Sequence, residues 1–298
     1  MTLPTHGRYD YSNITKRPDY TWPNGARLAV YVAVNIEAFG FGMGKGVAIA
    51  PPDQAMSASV YSWRDYGNRV GVWRLFDLFD ELNLPIEAQM NVEVYEAAPD
   101  IPERLRKRGD EIVGHGVTNS EGQEHMPEDQ ERAMIARVTT TIERHEGRRP
   151  VGWMSPWLSN SPVTLDLLQE AGYRYTMDWT MDDQPVWLKT RGGRLLAMPY
   201  PIEVNDTRGI VWYKHSAREF ADMIVDQFDE LLRQSARQSL VCPISLHPFV
   251  MGRPYRLPQL RRALEHIARH RDRIWLTRPG EICAHVERLP RGVVPGSA

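Results

Sequence analysis

Four side chains in this sequence have the types and the neighbours for proton-transfer chemistry: Glu37, His115, Asp178 and His247. Each follows a short apolar run. Leu28 to Ile36 leads to Glu37, Ile112-Val113-Gly114 to His115, Tyr173 to Met177 to Asp178, and Val241 to Leu246 to His247. Glycine, proline or a polar loop follows soon after each. Apolar runs of this length, rich in valine and isoleucine, read as strands buried on both faces of a parallel sheet. The carboxyl ends of such strands are where α/β enzymes place their chemistry. A carboxylate and two imidazoles at one mouth can serve as general base and acid. They can also hold a divalent metal. Asn35, Asn119, Asp182 and Asp183 lie beside these ends or in the loops beyond them.

Helical patterns fill the intervals. Val72, Leu75, Phe76, Phe79 and Leu82 recur at helical spacing, and Ser216 with Glu219 forms a capping box ahead of Phe220, Ile224, Phe228 and Leu231. Strands and helices alternate about seven times. That pattern predicts a single-domain α/β protein, a distorted (β/α) barrel of about seven strands over residues 27–289. An irregular arm (1–26) precedes it and a loose tail (290–298) follows. An open doubly wound sheet is the alternative, although Asn35-Ile36-Glu37-Ala38-Phe39-Gly40 is no GxGxxG nucleotide fingerprint. The span from Phe39 to Tyr66 reads as a long glycine-bearing loop, placed to act as a lid over Glu37.

Composition narrows the classes. The chain has 298 residues and a formal net charge of -2 with both signs dispersed, which argues against nucleic acid as a partner. Cys242 and Cys283 have no CxxC spacing, so neither a disulfide framework nor a cysteine zinc site is indicated. No apolar stretch reaches spanning length, so no membrane partner is expected. Met1 to Arg27 lacks the apolar core of a secretion signal, and a cytoplasmic protein is expected.

Seven short segments in a fixed order resemble the polysaccharide deacetylase (NodB-homology) superfamily. The branch they resemble holds the deacetylase-like allantoinases and a peptidoglycan deacetylase. The segments are Asn35-Ile36-Glu37-Ala38, Asp65 to Arg74, Gly114 to Asn119, Ser155-Pro156-Trp157, Asp178 to Trp187, Met198 to Asp206, and Ser245-Leu246-His247-Pro248 with Gly252-Arg253-Pro254 after it. The resemblance implies a hydrolase of non-peptide C–N bonds acting on a small linear or cyclic amide or ureide. Glu37 would be the general base, its pKa raised by burial. His115 would orient the water and His247 would protonate the leaving nitrogen. Asn35, Asn119 and Trp157 would contact substrate. Asp182 and Asp183 would bind polar substrate groups or fix loops. Arg253 would hold a substrate carboxylate or imide oxygen, or form a surface ion pair.

The family's metal site is one carboxylate and two histidines, so any zinc would fall to Glu37, His115 and Asn119. Asn119 stands in the second histidine position, and an amide oxygen is a poor zinc ligand beside imidazole. No cofactor is therefore expected to be required. The rival readings are a metal-dependent peptidoglycan or polysaccharide N-deacetylase and a carbohydrate-binding module that has lost catalysis. Self-association into a homo-oligomer is also expected.

Overall fold

The computed structural model describes residues 4–43 and 57–297. Its strands are β1 (Leu28–Ile36), β2 (Ile86–Met90), β3 (Glu111–Gly114), β4 (Gly152–Trp153), β5 (Tyr175–Thr176), β6 (Val186–Thr190), β7 (Gly193–Ala197), β8 (Leu240–Leu246) and β9 (Trp275–Leu276). They lie in the order β6-β7-β5-β4-β3-β2-β1-β8, with β9 beside the start of β1. All pairings are parallel except β6 with β7. The sheet curls into a barrel that strand pairing does not close. Its two ends are tied instead by a bond from Val241 N to the Asp183 carbonyl (2.9 Å) and by a parallel bridge between Asn205 and Ser245.

Helices pack outside: α1 (Ala58–Tyr66), α2 (Val72–Glu81), α3 (Val94–Ala97), α4 (Asp100–Arg108), α5 (Glu128–Glu146), α6 (Thr164–Glu170), α7 (Ala217–Gln234), α8 (Pro248–Met251), α9 (Leu257–Ala268) and α10 (Pro279–Val286). Residues of opposite parity along β1 serve two cores. Leu28, Val30, Val32, Val34 and Ile36 join the helix layer, whereas Ala29, Tyr31 and Ala33 face the barrel interior with Val113, Tyr175 and Val241. Strand side chains alternate in direction, so Asn35 and Glu37 continue the inward series. His115 continues that of Val113. In β8 the outer layer takes Leu240, Cys242, Ile244 and Leu246, which leaves Ser245 and His247 inward.

Three expectations change. The span after Glu37 is not loop as far as Tyr66, because Ser57 caps α1 by accepting from Val60 N. The lid reading rested mainly on residues 44–56, which lie outside the described residues. The hairpin of β6 and β7, turning at Arg191-Gly192, brings the strands among the described residues to nine where about seven were expected. The C-terminal tail is docked, not loose. Val294 is buried, Pro295 O accepts from Trp187 N, and Ser297 O accepts from Arg194. No helix among the described residues is long and apolar enough to cross a membrane.

Candidate active site

Strand register brings the three predicted groups together. Ile36, Met90 and Gly114 are neighbours across β1, β2 and β3, so the next residues, Glu37, Asn91 and His115, form the first row beyond the sheet. Val34 pairs with Leu246, which sets His247 beside the end of β1. Glu37 Oε1 lies 3.4 Å from His247 Nε2 and 4.0 Å from His115 Nε2. All three side chains are nearly inaccessible to solvent.

Each is held from behind. His115 Nδ1 donates to the Met154 carbonyl at 2.8 Å, which leaves Nε2 with its lone pair toward the mouth. His247 Nδ1 donates to Asp206 Oδ1 and its backbone N to Oδ2, both at 2.7 Å. Asn68, on the π-helical turn Gly67–Gly71 between α1 and α2, donates to Glu37 O at 2.8 Å. Asn91 ties the strand ends by accepting from Ala38 N (2.9 Å) and donating to His115 O. The segment Asp65 to Arg74 thus fixes the end of β1. Gly71 and Gly252 must be small there, since a Cβ on either would overlap the Pro248 carbonyl, one residue past His247.

Burial alone would push the Glu37 carboxyl up. The charge of His247 and the nearness of His115 outweigh that and hold it below the usual carboxylate range. This corrects the expectation of a raised pKa. For His247, desolvation works against the charged form, but Asp206 and Glu37 together carry it up to about 9. Burial pushes the Asp206 carboxyl up although His247 pulls it down, while the His247 ring between the two carboxyls is favoured in its charged form.

The cleft above this row has a volume of about 50 Å³ and is lined by Asn35, Asn119, Trp157, Tyr200, Arg208 and Trp212, among others. Asn35 donates to Ser245 Oγ at 3.0 Å, and Tyr200 shares a 2.6 Å bond with the same hydroxyl. Asn119 N donates to Ala38 O (2.8 Å), and the Trp157 indole donates to Asn119 O (3.0 Å). Trp157 and Leu158 are both left-handed, with φ of 65° and 57°, at about 1–2 kcal/mol each. Such strain persists only where surrounding contacts over-determine it, and it collects at functional sites.

Other predicted residues lie elsewhere. Asp182 takes two bonds from Arg17, at 2.8 and 2.6 Å. Asp183 bonds near the start of β8, about 20 Å along the strand from His247. These two aspartates fasten the arm and the barrel seam and do not line the cleft. Arg253 stacks on Tyr66 at 3.6 Å and donates to Trp63 O and Phe249 O, so it joins α8 to α1. It is neither a cleft residue nor a surface ion pair. Asp178 accepts four bonds, from Ser155 N, Ser155 Oγ, Asn160 and Thr176, and organises the turn that carries Trp157.

A family model described as polysaccharide deacetylase matches residues 54–176. The crystal structure of PuuE allantoinase superposes with a TM-score of 0.82 at 28% identity, over 93% of this chain and 97% of that one. That of a probable polysaccharide deacetylase from Pseudomonas aeruginosa PAO1 gives 0.81 at 28% identity, over 90% and 93%. The chain is similar to the polysaccharide deacetylase superfamily in both the matched segment and the whole fold. Within it, the peptidoglycan deacetylase of Helicobacter pylori is 25% identical over 244 residues, 71% of this chain and 82% of that protein.

The family's metal can be tested against the residues present. Glu37 Oε2, His115 Nε2 and Asn119 Oδ1 are buried at this deacetylase-type mouth and have no hydrogen-bond partner among the described residues. They amount to one carboxylate, one imidazole and one neutral amide oxygen. A catalytic zinc with a carboxylate ligand normally has two imidazoles as well. Among the described residues, no group of three or more His, Cys, Asp or Glu side chains is arranged to hold a metal ion, so His247 does not complete the set with Glu37 and His115. The donor set does not fit that metal.

Sequence reasoning overlooked Asp206, Asn68, Asn91 and Arg208 as parts of the site. The signal for Asp206 was in the segment Met198 to Asp206. Nothing local marked Asn91, whose role arises from register alone.

Proposed function

We propose that the protein hydrolyses the C–N bond of a small amide or ureide by metal-free general acid–base catalysis. The observation that carries this reading is the Glu37 carboxylate 3.4 Å from His247 Nε2, with Asp206 2.7 Å from the other ring nitrogen, an arrangement that favours the charged imidazole. In that form His247 is the acid and the Glu37 carboxylate is the base.

A water in the cleft has two protons to place, and the unpartnered acceptors are Glu37 Oε2, His115 Nε2 and Asn119 Oδ1. Donating to Glu37 and to one of the others leaves its lone pair for the carbonyl carbon. As the C–O bond forms, Glu37 takes the proton. The C–N bond then breaks as His247 Nε2–H protonates the leaving nitrogen. The short Glu37–His247 separation lets the proton pass back to His247 and reset the pair. The tetrahedral oxyanion is left to a backbone N–H of the cleft wall.

A small substrate is supported by the limited cleft volume and by the likeness to an allantoinase. The test is a hydrolysis panel of allantoin, hydantoins, succinimide-type imides and simple N-acyl amides beside N-acetylglucosamine oligomers. Turnover of small amides or ureides, lowered about 10²–10⁴-fold in Glu37→Gln, is expected. Turnover of the oligomers alone would overturn the substrate reading.

A further inference from the structure

Arg208 and Trp212 line the same cleft as Glu37, His115 and His247, yet the chemistry above makes no use of them. Both lie on the π-helical turn Thr207–Trp212, which begins one residue after Asp206, the partner of His247. That turn is firmly placed. Asn205 Oδ1 accepts from Thr207 N (3.1 Å) and Thr207 Oγ1 (2.7 Å), and Asn205 bridges to Ser245 on β8.

The Arg208 guanidinium lies over the Trp212 ring, 3.9 Å from its centroid. No side-chain or backbone oxygen among the described residues accepts from it. Stacking occupies the π face of a guanidinium and leaves its in-plane N–H donors unspent. A half-buried planar fork of donors, backed by an indole, matches the two oxygens of a carboxylate. The turn is anchored to Asp206 and to the strand of His247, so Arg208 stands on the general acid's side of the cleft. The group protonated by His247 is the leaving nitrogen. Whatever Arg208 holds therefore belongs to the amine half of the substrate.

We propose that Arg208, backed by Trp212, binds a carboxylate on the leaving-amine half, so that the preferred substrates are N-acylated amino acids. This rests on the roles of Glu37 and His247 given above. The reaction balances as a hydrolysis. Water oxygen bonds to the acyl carbon, the C–N bond breaks, and nitrogen takes its proton from His247. The products are a carboxylic acid and a free amino acid, whose carboxylate leaves with Arg208 as its last contact. Arg208 is on this account the specificity determinant, and it recognises substrate without taking part in proton transfer.

The test uses matched pairs: N-acetyl amino acids and the N-acetyl amines of the same side chain without the carboxylate. The full-length wild type, Arg208→Met and Arg208→Lys are compared. The wild-type ratio of kcat/KM, acid over neutral, is expected at ~10–100. It should collapse to about one in Arg208→Met, chiefly through KM for the acid, and recover in part in Arg208→Lys. A ratio that survives in Arg208→Met, or a wild-type ratio at or below one, overturns the proposal and leaves the catalytic reading standing. Binding separates the opposite failure. If neither member of a pair is turned over, yet Glu37→Gln binds the acid by calorimetry and Glu37→Gln with Arg208→Met does not, the carboxylate site stands and the catalytic reading falls. Absence of both turnover and binding overturns both.

Discussion

Asp206→Asn isolates the electrostatics of the general acid. The substitution keeps an oxygen for the backbone N–H of His247 and removes one negative charge from its ring. Asp206 touches that residue twice at 2.7 Å in a fully buried setting. A charge-assisted hydrogen bond contributes about 1.5–3 kcal/mol, and one pKa unit is about 1.4 kcal/mol, so the ring should lose ~1–2 units. In the wild type, with His247 at about 9, about nine-tenths of the ring is protonated at pH 8. In the variant about one-tenth to one-half would be. The pH profile of kcat/KM should keep its acid limb, below the usual carboxylate range because Glu37 is lowered, while the alkaline limb moves down by ~1–2 units. Activity should fall ~2–10-fold at pH 8 and little at pH 6.

Stability follows the same linkage. A histidine whose folded pKa exceeds its unfolded value contributes fully below the unfolded pKa of 6.5 and loses that contribution as pH rises through about 9. In urea denaturation the His247 part of the gap between wild type and Asp206→Asn should be largest near pH 6 and close toward pH 10, partly offset because Asn also removes the burial cost of the raised Asp206 carboxyl. An alkaline limb that stays in place, or an activity loss equal at pH 6 and pH 8, would refute His247 as an acid charged by Asp206.

Other perturbations probe the frame around the site. Glu131→Ala should cost ~2–4 kcal/mol by denaturation, because Gln123, Ser161 and Thr164 all donate to this buried carboxylate and would lose their acceptor. Gly71→Ala should lower kcat while touching no catalytic side chain, since the new Cβ must displace the Pro248 carbonyl and with it His247; steady-state kinetics beside circular dichroism would separate this from unfolding. Protein purified without chelator should show substoichiometric zinc by elemental analysis and unchanged activity after chelation; one zinc per chain that disappears in His115→Ala would make Glu37 a ligand and require a different mechanism.

Much of the fold was legible because the strands are buried on both faces. Their apolar runs end abruptly, and those ends named Glu37, His115 and His247. The capping box at Ser216 and the apolar spacing of α2 located helices by local chemistry alone. Double burial also hid information. When both faces are apolar, alternation vanishes from the sequence, and nothing local says that 35, 37, 115, 245 and 247 share the inward parity. Register decided that, and it made Asn91 a tie between two strand ends. The sign of the Glu37 shift was equally non-local. Burial argued for a raised pKa, and the outcome turned on a protonated His247 brought 3.4 Å away by β1–β8 pairing. Asp182, Asp183 and Arg253 show the converse: charged residues near motif ends looked like substrate contacts until Arg17, the barrel seam and Tyr66 were found to hold them. The sequence by itself determined which residues end the strands, because hydrophobic burial is written in residue types. Only tertiary structure decided which of them face one another and in what charge state, because an electrostatic field depends on distances that no local pattern encodes.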